Sequence, residues 1–210
     1  MNDFDRKQHW EHIYTTKPLE EVSWYQPVPS TSLQFLEQFK IAKTAKIIDV
    51  GGGDSFFVDH LLALGYLDIT VLDIAAAALE RAKQRLGDNA SRVKWIVADA
   101  ANFQATEHYD FWHDRAAFHF LTQEAEIAQY INTMSTHLNQ EGKVVLGTFS
   151  EQGPKKCSGI DIKQYSEKSM TETMAPYFEN INCVSVAHAT PFDTLQHFIF
   201  CSFRKNTIRN

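Results

Sequence analysis

"KIIDVGGGDSFF", residues 46–57, sets a short apolar run ending in Asp49-Val50 directly before three consecutive glycines, after which apolar residues resume. A β-branched run, a glycine cluster and a fresh apolar start predict a strand, a tight turn and the opening of a helix. Glycine carries no Cβ, so backbone at such a turn can come close to a ligand. Two familiar phosphate-holding versions are excluded by spelling. The dinucleotide fingerprint G-x-G-x-x-G, counted from Gly51, is met at Gly51 and Gly53 but finds Phe56 in place of its last glycine. No Gly-Lys-Ser/Thr follows, so the P-loop pattern fails as well.

Working outward, "DITVLD" (68–73), "VKWIVAD" (93–99), "YDFWHD" (109–114) and "KVVLGTF" (143–149) are short, β-branched or aromatic, and apolar enough to be strands buried on both faces. Helical spacing lies between them. Val58, Leu61, Leu62 and Leu64 stop at Gly65, Ala78, Leu79, Ala82 and Leu86 stop at Gly87, and Ile127, Ile131, Met134 and Leu138 recur at one helix face. Strand alternating with helix predicts a parallel sheet covered on both sides. "NINCVSVAHA" and "LQHFIFCSFRK" are separated only by "TPFDT", too short for a crossover, so one strand runs against the rest. A short helix is expected around Ser169–Tyr177, and another in "PSTSLQFLEQF" with Ser30 or Thr31 at its N-cap. Residues 1–30 form an aromatic, proline-bearing arm, too irregular for a core element, that should lie over something.

Acids stand at three successive strand ends: Asp49, Asp73 and Asp99. With Gly51, Gly53 and Ser55 they spell D-x-G-x-G-x-S, and the chain from about residue 10 to 203 resembles the class I S-adenosylmethionine-dependent methyltransferases. The resemblance implies one domain over residues 1–210, of α/β class. Its fold would be a Rossmann-like, seven-stranded, mostly parallel sheet with one antiparallel strand and helices on both faces. It implies S-adenosyl-L-methionine as cofactor. Asp49 would anchor the turn beside the methionine amino group, Asp73 with Ile74 beside it would accept the ribose hydroxyls, and Asp99 with Ala100 would receive the adenine. Carboxylates at the carboxyl ends of parallel strands suit a ligand that has hydroxyls and amines but no phosphate.

The segment "HWEHIY…WYQ" resembles the opening of branches that methylate protein lysines and thiols, which makes Trp10, Tyr14, Trp24 and Tyr25 candidates for covering the sulfonium; the alternative is that they staple the arm to the domain. "DRAAF" after the fourth strand resembles a D-[KR]-x-x-F block of those branches. It implies Asp114 and Arg115 as cofactor-binding residues in the pocket wall, with Asp114 and His119 as candidate catalytic groups, His119 because an imidazole suits proton transfer near neutral pH. His113, Asp114 and His119 lack the spacing of a recognised metal site, and no metal is expected. The insert 150–166, "SEQGPKKCSGIDIKQYS" with its flank, offers Cys157 and Tyr165 as candidate acceptor contacts. Lys155 and Lys156 are either solvated or attract an anionic acceptor.

The bulk numbers narrow the partners. Net charge is −6 and no long Lys/Arg run occurs, so neither a nucleic-acid footprint nor an anionic-membrane surface is expected. The opening residues have no basic-then-apolar leader pattern and no run suits a membrane span, so a cytoplasmic protein is expected. The three cysteines lack C-x-x-C spacing and imply neither disulfide nor zinc; Cys183 and Cys201 are expected as core residues. The acceptor is expected to be a small molecule or a protein side chain. Two rivals make different demands: a non-catalytic S-adenosylmethionine-binding regulatory module, and an NAD(P)-dependent oxidoreductase.

Overall fold

The computed structural model describes residues 4–206. Its strands are β1 (Lys46–Val50), β2 (Asp68–Asp73), β3 (Val93–Val97), β4 (Tyr109–Arg115), β5 (Leu138–Phe149), β6 (Lys156–Cys157), β7 (Ile160–Asp161), β8 (Phe178–Ala189) and β9 (Leu195–Lys205). The α-helices are α1 (Arg6–Thr16), α2 (Ser30–Gln38), α3 (Phe57–Ala63), α4 (Ala76–Leu86), α5 (Glu124–His137) and α6 (Glu167–Met174). Seven strands form one sheet in the order β3-β2-β1-β4-β5-β9-β8. β1 to β5 pair in parallel, while β9 runs antiparallel to both β5 and β8, so it alone is reversed.

Apolar residues on neighbouring positions of β1 explain why the sheet is covered twice. Ile47 and Ile48 point to opposite faces and neither is exposed. Ile48, Trp112, Val144 and Leu146 pack with Tyr130, Met134, Met170 and Met174 from α5 and α6. Ile47, Phe111 and Val145 pack with Phe35, Leu36, Phe57 and Leu61 from α2 and α3. The two helix stops fall where the glycines predict, with Gly65 at φ 84° and Gly87 at φ 55°.

Several expectations are corrected. The arm is not irregular throughout: α1 makes three turns, opened by Asp5, whose side chain accepts the Gln8 amide at 2.9 Å. Pro18, which suggested irregularity, lies beyond its end. Neither Ser30 nor Thr31 caps α2; Pro29 holds that position and no side-chain cap bond forms. Leu64 ends its helix 48% exposed instead of in the core. β5 begins at Leu138 and is longer than the apolar run. Cys183 and Cys201 stand opposite each other on β8 and β9 and are joined by a disulfide, a pairing that linear spacing conceals because register, not C-x-x-C, brings them together.

The insert folds as a hairpin, β6–β7, over a two-residue turn, Ser158-Gly159, at φ 50° and 83°. Positive φ at both positions is what a type I′ turn demands. Among the described residues no helix is long and apolar enough to cross a membrane.

Candidate active site

A cleft of about 1000 Å³, its mouth included, opens at the carboxyl ends of the parallel strands. The glycine turn forms its floor. Gly51 and Gly53 adopt φ 67° and 50°, and the amides of Gly51 and Gly52 donate to the Leu72 carbonyl at 2.8 and 3.2 Å, tying the turn to the end of β2. A Cβ on Gly51 would collide with the Cβ of Ala117; one on Gly53 would come within 2.7 Å of the Tyr14 hydroxyl and 3.1 Å of Asp73 Oδ2. The turn is glycine because the arm, the end of β2 and the chain after β4 close on it.

Each strand-end acid is held differently. Asp49, 2% exposed, lies 2.7 Å through Oδ1 from His113 Nδ1, and His113 Nε2 lies 2.8 Å from the Ser32 hydroxyl. This Ser-His-Asp chain is no hydrolytic triad, since Ser32 is buried against the sheet and reaches no substrate. It fixes the Asp49 carboxylate beneath the turn. Asp73 accepts the Ala75 amide through Oδ1 at 2.8 Å and leaves Oδ2 toward the cleft. Burial pushes Asp73 up to about 7; the Ala75 amide opposes it, and the negative charges of Asp54, Asp49 and Glu11 add smaller upward pushes. Asp99 accepts the Ala101 amide at 2.9 Å and is approached by Arg6 Nη1 at 3.3 Å.

Trp10, Tyr14 and Trp24 meet over the cleft as an aromatic cluster, with ring centroids 5.7 to 6.1 Å apart, and Phe120 adds an edge-on contact to Trp10 at 5.1 Å. Ile74, Ala100, Ser55, Arg115 and Cys157 also line the cleft. Ser55 Oγ additionally accepts the Phe57 amide at 3.1 Å, steadying the start of α3. Burial raises the Cys157 thiol to about 11, so it stays protonated at neutral pH.

Five expected residues do not line the cleft, Gly53 among them, which backs the turn against Tyr14 and Asp73. Tyr25 lines a small side pocket and packs edge-on to Phe56. Asp114 is fully buried, accepting the amides of Ala117 at 2.9 Å and Phe118 at 3.1 Å and the Tyr130 hydroxyl at 2.7 Å. Those three donors make it the knot that turns the chain after β4. His119 is likewise buried outside the cleft, its Nδ1 accepting the Phe149 amide at 3.2 Å. Burial, then the nearby Arg115 charge, pushes it down to about 3, so it stays neutral. Tyr165 stacks on Phe118 in the core, ring centroids 5.4 Å apart. Lys155 and Lys156 are exposed, and Lys156 pairs with Asp161 at 3.0 Å. Among the described residues no group of three His, Cys, Asp or Glu side chains is arranged to hold a metal.

Other residues at the site carry no motif. Arg6 bridges Asp99 and Glu126. Asp54, in the cleft wall, has its carboxylate 3.1 Å from Arg81 Nη2 without the alignment of a hydrogen bond, and burial raises its pKa. Arg81 also donates to the carbonyls of Tyr14 and Lys17, both at 2.9 Å. Pairings as far apart in the chain as Arg81–Lys17, at 64 residues, and Arg6–Asp99, at 93, leave no local trace in a sequence.

Residues 47–142 match the methyltransferase-domain family model. A malonyl-[acyl-carrier protein] O-methyltransferase of Anoxybacillus flavithermus is 31% identical over 107 residues, covering 50% of this chain and 39% of that protein. The chain thus spans about two fifths of that relative's length. A solved S-adenosylmethionine-dependent methyltransferase from Anabaena variabilis superposes with TM-score 0.74 at 15% identity, covering 97% of this chain and 96% of that one. The N-methyltransferase NodS of Bradyrhizobium japonicum, solved with S-adenosyl-L-homocysteine, gives TM-score 0.71 at 15% identity over 97% of this chain and 100% of that one. The fold is the one these methyltransferases share.

The residues present fit an adenosylmethionine-type ligand. Asp73 lines the cleft, and among the described residues no protein donor bonds its Oδ2, while burial raises its pKa. A ribose diol supplies two donors there. The arginines beside the glycine turn are already engaged, Arg81 with Asp54 and Arg85 with Asp59 and the Asp54 and Ser55 carbonyls.

Proposed function

We propose that this chain is an S-adenosyl-L-methionine-dependent methyltransferase and that residues 1–210 act as one domain. The observation that carries the proposal is the convergence of Asp49, Asp73 and Asp99, from the ends of β1, β2 and β3, on one cleft floored by a positive-φ glycine turn. The family match over residues 47–142 supports it.

When bound, S-adenosylmethionine supplies a methyl group on a positively charged sulfur. The chain's part is to bind, orient and dry the site. Asp73 takes the ribose, the side of the cleft around Asp99 and Ala100 takes the adenine, and Asp49 with the Gly51–Gly53 backbone takes the amino-acid end. Trp10, Tyr14 and Trp24 present aromatic faces where a cation would lie, a contact of about 0.5–2 kcal/mol that also excludes water. An acceptor lone pair would form its bond to that methyl carbon as the carbon–sulfur bond broke, the electron pair staying on sulfur. Proximity and alignment supply most of the acceleration. His119 and Asp114 lie outside the cleft, so neither serves as base; the acceptor arrives already nucleophilic.

Titration of S-adenosylhomocysteine tests this directly. Saturable 1:1 binding that is lost in Asp73→Ala supports it, while stabilisation by NAD(P)H and none by S-adenosylhomocysteine would point to the oxidoreductase rival.

A further inference from the structure

The two ends of the cleft are built from different chemistry. Sheet order places β1, β2 and β3, with their acids, toward one end, and β4, β5 and β9 toward the other. The second end receives Arg115, Phe149, Gln196 and Phe198, and the β6–β7 hairpin adds Cys157. It is aromatic and carries a cation, where the first is acidic.

Arg115 is the unusual member. It is half-buried at the cleft wall, and among the described residues its one hydrogen bond runs from Nη1 to the Trp24 carbonyl at 3.2 Å. Its guanidinium lies 5.3 Å from the Phe198 ring centroid. Among the described residues no carboxylate comes within 4.0 Å of it, although Arg6, Arg81, Arg85 and Arg204 each have one. A guanidinium has five N–H donors, and withdrawing it from water without an anion is costly. Burial lowers the Arg115 pKa to about 10, which still leaves it charged at neutral pH. Gln196 stands two residues before Phe198 on β9 and so shares its face. Its Oε1 is buried without a partner.

Neither Cys157 nor His113 is free to take a proton. Cys157 is held as a thiol, and both nitrogens of His113 are engaged. The fixtures among the described residues are therefore a cation with no carboxylate in direct contact, on which Asp49 acts only from beyond ion-pair reach, a carboxamide oxygen lacking a donor, and aromatic walls from Trp24, Phe149 and Phe198.

We propose that Arg115 is the anion receptor of the acceptor half of the cleft, and that the methyl acceptor is a small molecule bearing a carboxylate or similar planar oxyanion beside a hydrogen-bond donor. The oxyanion meets the guanidinium, the geometry for which Arg is suited, and the donor meets Gln196. This assignment rests on the methyltransferase reading, because it takes the acidic end as the nucleoside end.

Two titrations separate it from that reading. S-adenosylhomocysteine is titrated into wild type, Arg115→Met and Arg115→Lys; benzoate, a planar carboxylate probe, is then added to each loaded protein and the melting temperature read. S-adenosylhomocysteine is expected to bind all three within about twofold. Millimolar benzoate is expected to raise the melting temperature of wild type and Arg115→Lys but not of Arg115→Met. A loss of S-adenosylhomocysteine affinity of about tenfold or more in Arg115→Met, with the benzoate response kept, would overturn the proposal, since the guanidinium would then hold the methionine carboxylate. A benzoate response that is absent from wild type, or equal in wild type and Arg115→Met, would overturn it too. If S-adenosylhomocysteine fails to bind wild type, the methyltransferase reading falls, and benzoate with the unloaded proteins still decides whether Arg115 receives an anion.

Discussion

Glu11 on the arm helix caps a helix of the central domain: its Oε1 accepts the Ala76 amide at 2.7 Å and its Oε2 the Ala77 amide at 3.0 Å. Ala75, the local N-cap of α4, has no side chain able to do so, and the α4 amides are satisfied by α1 instead. The same α1 carries Trp10 and Tyr14 into the cleft. Removing this carboxylate in Glu11→Ala is expected to cost about 1–2 kcal/mol of stability, as for a lost N-cap, and to weaken S-adenosylhomocysteine binding as α1 loosens. Denaturant unfolding and calorimetric titration of the same variant check both.

Asp73→Ala removes the acceptor aimed into the cleft and the bond to the Ala75 amide together. The expected loss is up to two charge-assisted hydrogen bonds to ligand, each about 1.5–3 kcal/mol, read as a fall in S-adenosylhomocysteine affinity. Unchanged affinity would remove the ribose assignment.

The Asp73 pKa sets a pH dependence. Because burial raises it from 3.8 to about 7, the folded chain holds a proton in that window that the unfolded chain has released. Its contribution to stability therefore declines as pH rises from about 4 to 7. Ribose hydroxyls favour the ionised carboxylate, so ligand affinity should move the opposite way. It should weaken by up to about tenfold per pH unit below 7, with proton release on binding visible as a buffer-dependent enthalpy. Asp54, Asp49 and Glu11 are the other carboxylates acting on this group, and Asp54→Asn is expected to lower the pH of the transition.

Asp114 and Tyr130 form a structural pair, with the hydroxyl donating at 2.7 Å. Asp114→Ala strands that hydroxyl and two backbone amides and is expected to destabilise the fold by about 3–5 kcal/mol. Tyr130→Phe should cost about 1–2 kcal/mol. Neither should shift the pH profile of turnover per folded molecule, which a proton-transfer role for Asp114 would.

What was legible in the sequence followed from local pattern. The glycine turn, the acids at strand ends and the apolar runs located β1, β2 and β9 to the residue, because burial on both faces of a central strand leaves an unbroken signal. Reversal of β9 followed from the five residues between it and its neighbour. Trp10, Tyr14 and Trp24 do meet at the cleft. What was hidden depends on long-range geometry. Asp114 and His119 looked catalytic because carboxylate and imidazole are the usual proton carriers, yet the end of β4 and the turn after it carry them into the core, where backbone amides use them. Tyr165 likewise faces inward. The Cys183–Cys201 pairing depends on β8–β9 register, and Arg6, Glu11 and Arg81 act on partners far along the chain.

The central claim is methyl transfer from S-adenosylmethionine, and the measurement closest to it uses methyl-labelled cofactor with cell extract split into small-molecule and protein fractions. The account predicts S-adenosylhomocysteine formed in step with label on an acceptor in the small-molecule fraction, and neither product with Asp73→Ala. Tight binding of the cofactor with no S-adenosylhomocysteine formed in any fraction would contradict it and leave a binding module in place of an enzyme.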